Sequence, residues 1–301
     1  MPRRIQNVVV PLLTPLDADE HIDMASLRRM VDFLIAGNVD AIFVLGSIGE
    51  GPALRPAERR KLALETVRAV AGRCAVIAGA IEPSTARIID EIDNLSGVGL
   101  DGFVATTPFY YSGYSDADLV AHFRAIAARA PAPLIAYNIP QNTKIALRSA
   151  VVRALAGIPN IAGLKDSSGD WTEFQATLLD RSRPRDFVVL QGMQQLSAVS
   201  MLAGADGLVP GMANVHPALL VDLCTAARAG RIADAMHHQA TLDRLLAVRG
   251  RATQHANKLM ASRRGLMQDH VTHPLPRMTD AEASAFLEAA AAVAPLPSVT
   301  A

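Results

Sequence analysis

The sequence predicts an α/β protein, a single (β/α)8 TIM barrel carrying a C-terminal helical extension. Two observations lead there. Short apolar or β-branched runs alternate with longer amphipathic stretches, which is the pattern of βα units wound around a parallel sheet. Eight such runs occur before residue 230, close to the span of one barrel, typically about 250 residues. No internal repeat of solenoid type competes with this reading.

The strands are expected at 8–11, 41–45, 75–79, 102–106, 134–137, 161–165, 187–191 and 207–210. Helical patterns fill the gaps, for example 23–36, 56–71, 115–129 and 171–181, and several open on Asp, Ser or Pro as capping requires. Beyond about residue 230 the strand pattern stops. Three helical stretches follow, at about 231–249, 254–266 and 279–293, so the chain divides into a barrel over 1–230 and an extension over 231–301, with Pro295 and Pro297 ending the ordered chain.

Composition narrows the function. With 301 residues, half of them hydrophobic, the chain is long enough to enclose a large core. Its 29 basic and 29 acidic residues balance without long runs of either sign, which removes the electrostatic footprint of a nucleic-acid binder and suits a small ligand. Only Cys74 and Cys224 are present, far apart, so neither a disulfide framework nor a zinc ribbon is indicated and a cytoplasmic protein is expected. Apolar stretches are broken by charges well short of the roughly 20 residues a membrane span needs. The eight histidines show no metal-binding spacing, and His237 and His238 read as surface residues. No cofactor is expected.

In such a barrel, chemistry sits at the C-terminal ends of the strands. Lys165 ends the run Ile161-Ala162-Gly163-Leu164, and simple alternation puts its side chain on the same face as those of Ile161 and Gly163. An inward lysine loses solvation, so more of it is the neutral amine that attacks a carbonyl; an outward one is an interfacial lysine reaching water. Tyr137 ends the adjacent strand. Neighbouring strands lie about 4.8 Å apart, so the phenol is placed either to relay protons for Lys165 or as a core tyrosine. Gly46-Ser47-Ile48-Gly49-Glu50 fits neither a dinucleotide nor a P-loop motif; it is an ordinary βα turn or a carboxylate cradle built from backbone N–H groups and the Ser47 hydroxyl.

These motifs resemble the dihydrodipicolinate synthase and N-acetylneuraminate lyase superfamily. The resemblance runs in order through Leu13-Thr14-Pro15, the Ser47 turn, Thr107-Pro108-Phe109-Tyr110-Tyr111, Tyr137-Asn138-Ile139-Pro140 with Thr143, Gly163-Leu164-Lys165-Asp166-Ser167-Ser168 and Gly204-Ala205-Asp206-Gly207. It implies that Lys165 forms a Schiff base with a 2-oxo acid and that Tyr137 relays protons. It implies that Ser47 and the N–H of Ile48 hold the substrate carboxylate. Tyr110 would enter a neighbouring subunit's site, within a homotetramer of two tight dimers. Three departures bear on the substrate. Ile48 replaces a polar residue, Asn142 stands where the synthases carry an arginine, and Gln191-Gly192-Met193-Gln194-Gln195 lacks the acidic residues of the sialic acid lyases. Gly192, Asn142 and Gln194 join the expected substrate contacts, with the glutamines suited to a small polar aldehyde half. The reading is a lyase that cleaves a 4-hydroxy-2-oxo acid or 2-keto-3-deoxy sugar acid to pyruvate and an aldehyde; a dehydratase, the synthase and a non-catalytic pyruvate-binding barrel stand as rivals.

Overall fold

The structure, a computed structural model, describes residues 5–250 and 252–296. Eight parallel strands close into a barrel in sequence order: β1 (Asn7–Pro11), β2 (Ala41–Val44), β3 (Ala75–Ala80), β4 (Gly102–Thr106), β5 (Leu134–Asn138), β6 (Ile161–Asp166), β7 (Val188–Gln191) and β8 (Gly207–Leu208). All eight fall where the apolar runs predict them. Buried on both faces, parallel strands read as continuous apolar runs, and that is why they are legible. Their ends shift for local reasons. At the end of β2, Leu45 turns to φ 61°, out of the extended region. β8 stops two residues early, before Pro210, which has no N–H to give a ladder.

Helices cover the outside as expected. Met24–Ala36 is capped by Asp23, whose carboxylate accepts from the N–H groups of Ala25 and Ser26. Asp116–Arg129 opens with a Ser115–Asp118 capping box. After the barrel come Ile232–Val248, Thr253–Arg263 and Asp280–Val293, the last opening with a Thr279–Glu282 capping box. Pro295 follows that helix; Pro297 lies outside the described residues. Ile232–Val248 packs on Pro217–Arg228, and Thr253–Arg263 packs on the 3₁₀ turn Gly211–Asn214 beyond β8. Among the described residues no helix is long and apolar enough to cross a membrane.

Two clusters divide the apolar interior. One lies between strands and helices; the other fills the barrel and includes Val9, Phe43, Val104, Ile135, Tyr137 and Leu190. One sequence expectation needs correction here. Ile161 does not share a face with Lys165, because it belongs to the cluster outside the barrel. The β5–β6 register jumps from Leu134↔Ile161 to Ile135↔Gly163, so Ala162 is an extra residue and reverses the alternation. Gly163 and Lys165 keep a common, inward face. A Cβ at Gly163 would lie 2.5 Å from Val188 Cγ2, a side chain of the inner cluster.

Glycines also let the turn after β2 lie flat on the barrel mouth. A Cβ on Gly79 would stand 2.4 Å from the Leu45 carbonyl oxygen, and one on Gly51 would stand 2.1 Å from it. Both obstacles are backbone and cannot swing aside. Gly79→Ala should therefore cost about 1–3 kcal/mol of stability in a denaturant titration. Gly157→Ala, whose added methyl meets nothing closer than the Ala154 carbonyl at 3.6 Å, should unfold like the parent. Equal stability of the two variants would show that the turn yields freely.

Candidate active site

The β4–β5–β6 register sets the centre of the site. Tyr137 pairs with Thr106 on one side and with Lys165 on the other. Lys165 Nζ lies 3.7 Å from the centroid of the Tyr137 ring and 4.7 Å from that of Phe43. Lysine and tyrosine are both buried, at 5% and 3% exposure. Among the described residues Lys165 has no carboxylate partner; its ammonium meets two ring faces and the Tyr137 hydroxyl. Burial lowers the Lys165 pKa, and the nearby phenol opposes without reversing the shift. For Tyr137, burial pushes the phenol up, but the charge of Lys165 and hydrogen bonds involving Ser167, Lys165 and Ser47 outweigh it and leave the pKa lowered. The two groups titrate as a pair. An amine poised to lose its proton beside a phenol poised to exchange one is the equipment for attack on a carbonyl.

Ser47 is held by a turn whose end is fixed from far away in the chain. Thr14 Oγ1 donates to the Gly49 carbonyl at 2.5 Å, and Gln254 Nε2 donates to the Ser47 carbonyl at 3.3 Å. Glu50, fully buried, meets Lys258 Nζ at 2.6 Å and accepts from the N–H and Oγ1 of Thr272. Lys258 also donates to the His270 carbonyl at 2.5 Å. Just beyond, Arg59 donates to the carbonyls of Pro52 and Leu54 and pairs with Glu82 at 2.6 Å. A Cβ at Gly211 would lie 3.4 Å from the Ile48 side chain, so Ile48 packs towards the end of β8.

A cavity of about 280 Å³ opens at this mouth. Its polar wall is Ser47, Glu50, Thr106, Asn142, Thr143 and Gln254. Phe109 and Ile139, also in the wall, pack against the inner cluster that contains Tyr137, so the cavity stands over the Lys165–Tyr137 layer. Of the residues expected at the site, Ser47 and Asn142 therefore line one cavity. Gly192 works from behind: its N–H donates to the Asp166 carbonyl at 2.6 Å, and a Cβ there would strike Ser167 Oγ at 2.1 Å. Gln194 is absent from the wall. Its Oε1 accepts from the Met212 N–H at 2.9 Å, which removes its main acceptor from substrate. Tyr110, 88% exposed at φ 81°, points to neither Lys165 nor the cavity within one chain, and stacks edge to face on Tyr111.

Sequence reasoning missed Thr106, Glu50, Gln254 and Leu275. Glu50 carried a signal, as a charge inside a turn otherwise built of small and apolar residues. Gln254 and Leu275 lie in the extension and carry none. Among the described residues, no group of three or more His, Cys, Asp or Glu could hold a metal ion.

Comparison with known proteins agrees with this architecture. A model of the dihydrodipicolinate synthetase family matches residues 4–293. A 4-hydroxy-tetrahydrodipicolinate synthase of Aromatoleum aromaticum is 33% identical over 281 residues, 92% of this chain and 94% of the relative. One from Porphyromonas gingivalis is 35% identical over 226 residues, 73% and 75% of the two chains. Dihydrodipicolinate synthase from Bacteroides thetaiotaomicron superposes with a TM-score of 0.90 at 29% identity, over 96% of this chain and 99% of that one. A prophage protein of the dihydrodipicolinic acid synthase family from E. coli K12, solved in complex with pyruvate, gives a TM-score of 0.90 at 25% identity, over 96% and 98%.

Two outcomes are expected. Lys258→Met strands the Glu50 carboxylate in the interior and should cost about 3–5 kcal/mol in a denaturant titration; adding Glu50→Gln should recover a large part, and no recovery would mean that the pair is not what holds the turn. The second concerns pH. A lysine whose pKa is lowered by folding holds its proton less tightly than the unfolded chain does, so its charge costs stability at low pH and the cost fades as pH rises through the usual lysine range. Lys165→Met should therefore raise Tm at pH 7, with the gain shrinking as pH climbs through that range. A gain that does not shrink would place the lysine's ordinary proton affinity inside the fold.

Proposed function

The chain belongs to the dihydrodipicolinate synthetase family, and on that premise we propose that it cleaves a 4-hydroxy-2-oxo acid reversibly to pyruvate and an aldehyde, with Lys165 as its Schiff-base lysine. Membership makes it a class I lyase of the lysine Schiff-base kind. The observation that carries the assignment is the buried Nζ, packed 3.7 Å over the Tyr137 ring.

The chemistry balances with these groups alone. The neutral amine of Lys165 adds to C2 of the substrate and water leaves, forming an iminium. Tyr137 takes the proton of the 4-hydroxyl, the C3–C4 bond breaks, and its electrons enter the iminium to give an enamine. The aldehyde departs. A proton returns to C3, and water then hydrolyses the imine, releasing pyruvate and the free amine. In this reading the Ser47 hydroxyl and the Ile48 N–H receive the substrate carboxylate, as the backbone N–H groups of a glycine-flanked turn would allow. The pyruvate held by the E. coli relative supports pyruvate as the common half. Tyr110, directed into solvent in one chain, suits a residue that completes a neighbour's relay in a tetramer made of two tight dimers.

A second reading, condensation of pyruvate with aspartate semialdehyde, is favoured by the name the relatives carry. Against it stands the cavity wall. An arginine fork binds a carboxylate bidentately, and the Asn142 amide does not.

Borohydride added to the protein with pyruvate should fix a pyruvyl group on Lys165, detected by peptide mass, and Lys165→Ala should abolish it. Tyr137→Phe should slow pyruvate release about 10²- to 10⁴-fold. An unmodified Lys165, or ordinary turnover in Tyr137→Phe, would overturn the assignment, and condensation with aspartate semialdehyde outrunning every cleavage would install the synthase.

A further inference from the structure

Whatever aldehyde leaves must occupy the cavity over Lys165 and Tyr137, so its walls define the substrate's second half. Half of that wall is apolar: Pro52, Ala53, Ile81, Phe109, Ile139 and Leu275. Lysine, arginine and histidine are absent from it among the described residues. Its one ionisable member, Glu50, is already engaged by Lys258 and Thr272. A carboxylate on the aldehyde half would shed its water against hydrocarbon, with no cation in the wall to receive it.

Hydroxyl groups are poorly provided for as well. Thr143 Oγ1 is committed to the Ile139 and Ile145 carbonyls, at 3.2 and 3.1 Å. Gln254 Nε2 donates to the Ser47 carbonyl, and the Ser47 hydroxyl is assigned to the carboxylate of the pyruvate half. Asn142 sits exposed on the short helix Pro140–Thr143. Thr106 differs from all of these. Its residue is 1% exposed, it lines the cavity, and its Oγ1 has no hydrogen-bond partner. It pairs across the sheet with Tyr137, and two residues below it on the same inward face lies Val104. A buried hydroxyl without a partner costs stability unless a ligand supplies one.

We propose that the aldehyde half is uncharged with an apolar body, and that Thr106 Oγ1 hydrogen-bonds the oxygen that is the C4 hydroxyl of the 2-oxo acid and becomes the aldehyde carbonyl. The proposal rests on Lys165 as the Schiff-base lysine. It departs from the expectation of a small polar aldehyde, because Gln194, which suggested one, is tied to Met212. It also sets aside 4-hydroxy-2-oxoglutarate, whose distal carboxylate would face the apolar wall. Thr106 acts as a positioning contact beside the phenol, and by fixing the oxygen it aligns the bond that breaks.

The test uses the full chain and matched partners. Adducts of pyruvate with butanal, benzaldehyde, succinic semialdehyde and glyceraldehyde are each assayed for pyruvate release, while borohydride trapping of pyruvate on Lys165 is followed separately. Butanal and benzaldehyde adducts should exceed the succinic semialdehyde and glyceraldehyde adducts in kcat/KM by about tenfold or more. Asn142→Arg should narrow the gap for succinic semialdehyde alone. Thr106→Val should lower kcat/KM on the butanal adduct about tenfold, Thr106→Ser should restore it, and trapping should be unaffected in both. Preference for the charged or polyhydroxylated adduct with trapping intact would overturn the substrate class and leave the Schiff base standing. A Thr106→Val variant as active as the parent would overturn the contact, and loss of trapping in the parent protein would overturn both readings.

Discussion

A closed barrel offers an inward side chain no route to bulk water except through the mouth, and an ammonium placed there must find compensation or give up its proton. Lys165 finds two aromatic faces and no carboxylate. Cation–π contact offsets part of the lost hydration, yet burial still lowers the lysine's pKa. The fold thus disfavours the charge that would make this residue inert, and stability and reactivity pull against each other at one position. Everything else in the site follows from Lys165 facing inward. The extra residue at Ala162 sets the phase of β6, and Gly163 yields to Val188 directly beneath the amine. Tyr137 lies in register beside it because parallel neighbours in a barrel have almost no freedom to slide.

The C-terminal helices belong to the same arrangement. Glu50 is fully buried in the turn that presents Ser47, and a carboxylate is tolerated there only because Lys258 and Thr272 reach it. Gln254 holds the carbonyl of Ser47 from 207 positions away, and Leu275 completes the apolar wall. The Ser47 turn is therefore clamped by chain that contributes no strand. Substitutions in the helices after the barrel reach the site through these contacts, not through the barrel core.

Membership of a family of synthases and a mouth without a cation pull in different directions, and the physical difference lies in a few side chains. In the proposed reaction the inner layer of Lys165, Tyr137 and Ser47 would handle the half of the substrate that becomes pyruvate. The outer layer of Thr106, Phe109, Ile139, Asn142 and Leu275, drawn from the cavity wall, would handle the remainder. A fold shared over nearly the whole chain constrains the first layer strongly and the second weakly, since specificity lives in sites grafted onto a common scaffold.

The sequence by itself determined what local periodicity encodes. Eight apolar runs, the caps at Asp23 and Ser115, and the placement of Lys165 and Tyr137 at adjacent strand ends were all legible, because strands buried on both faces and capped helix starts leave their mark within a few residues. Tertiary structure decided the rest. The bulge at Ala162 is a property of the β5–β6 pair, and nothing in the run Ile161-Ala162-Gly163 shows that Ile161 turns away from the barrel. Gln194 looked free to bind a ligand until packing brought the Met212 N–H to it. Thr106 stood at a strand end worth a functional reading, but its proposed role emerged only when burial left its hydroxyl unpartnered beside Tyr137. Hydrogen-bond satisfaction, charge pairing such as Glu50 with Lys258, and the shape of a cavity are sums over residues far apart in the chain, and only closure of the barrel brings their terms together.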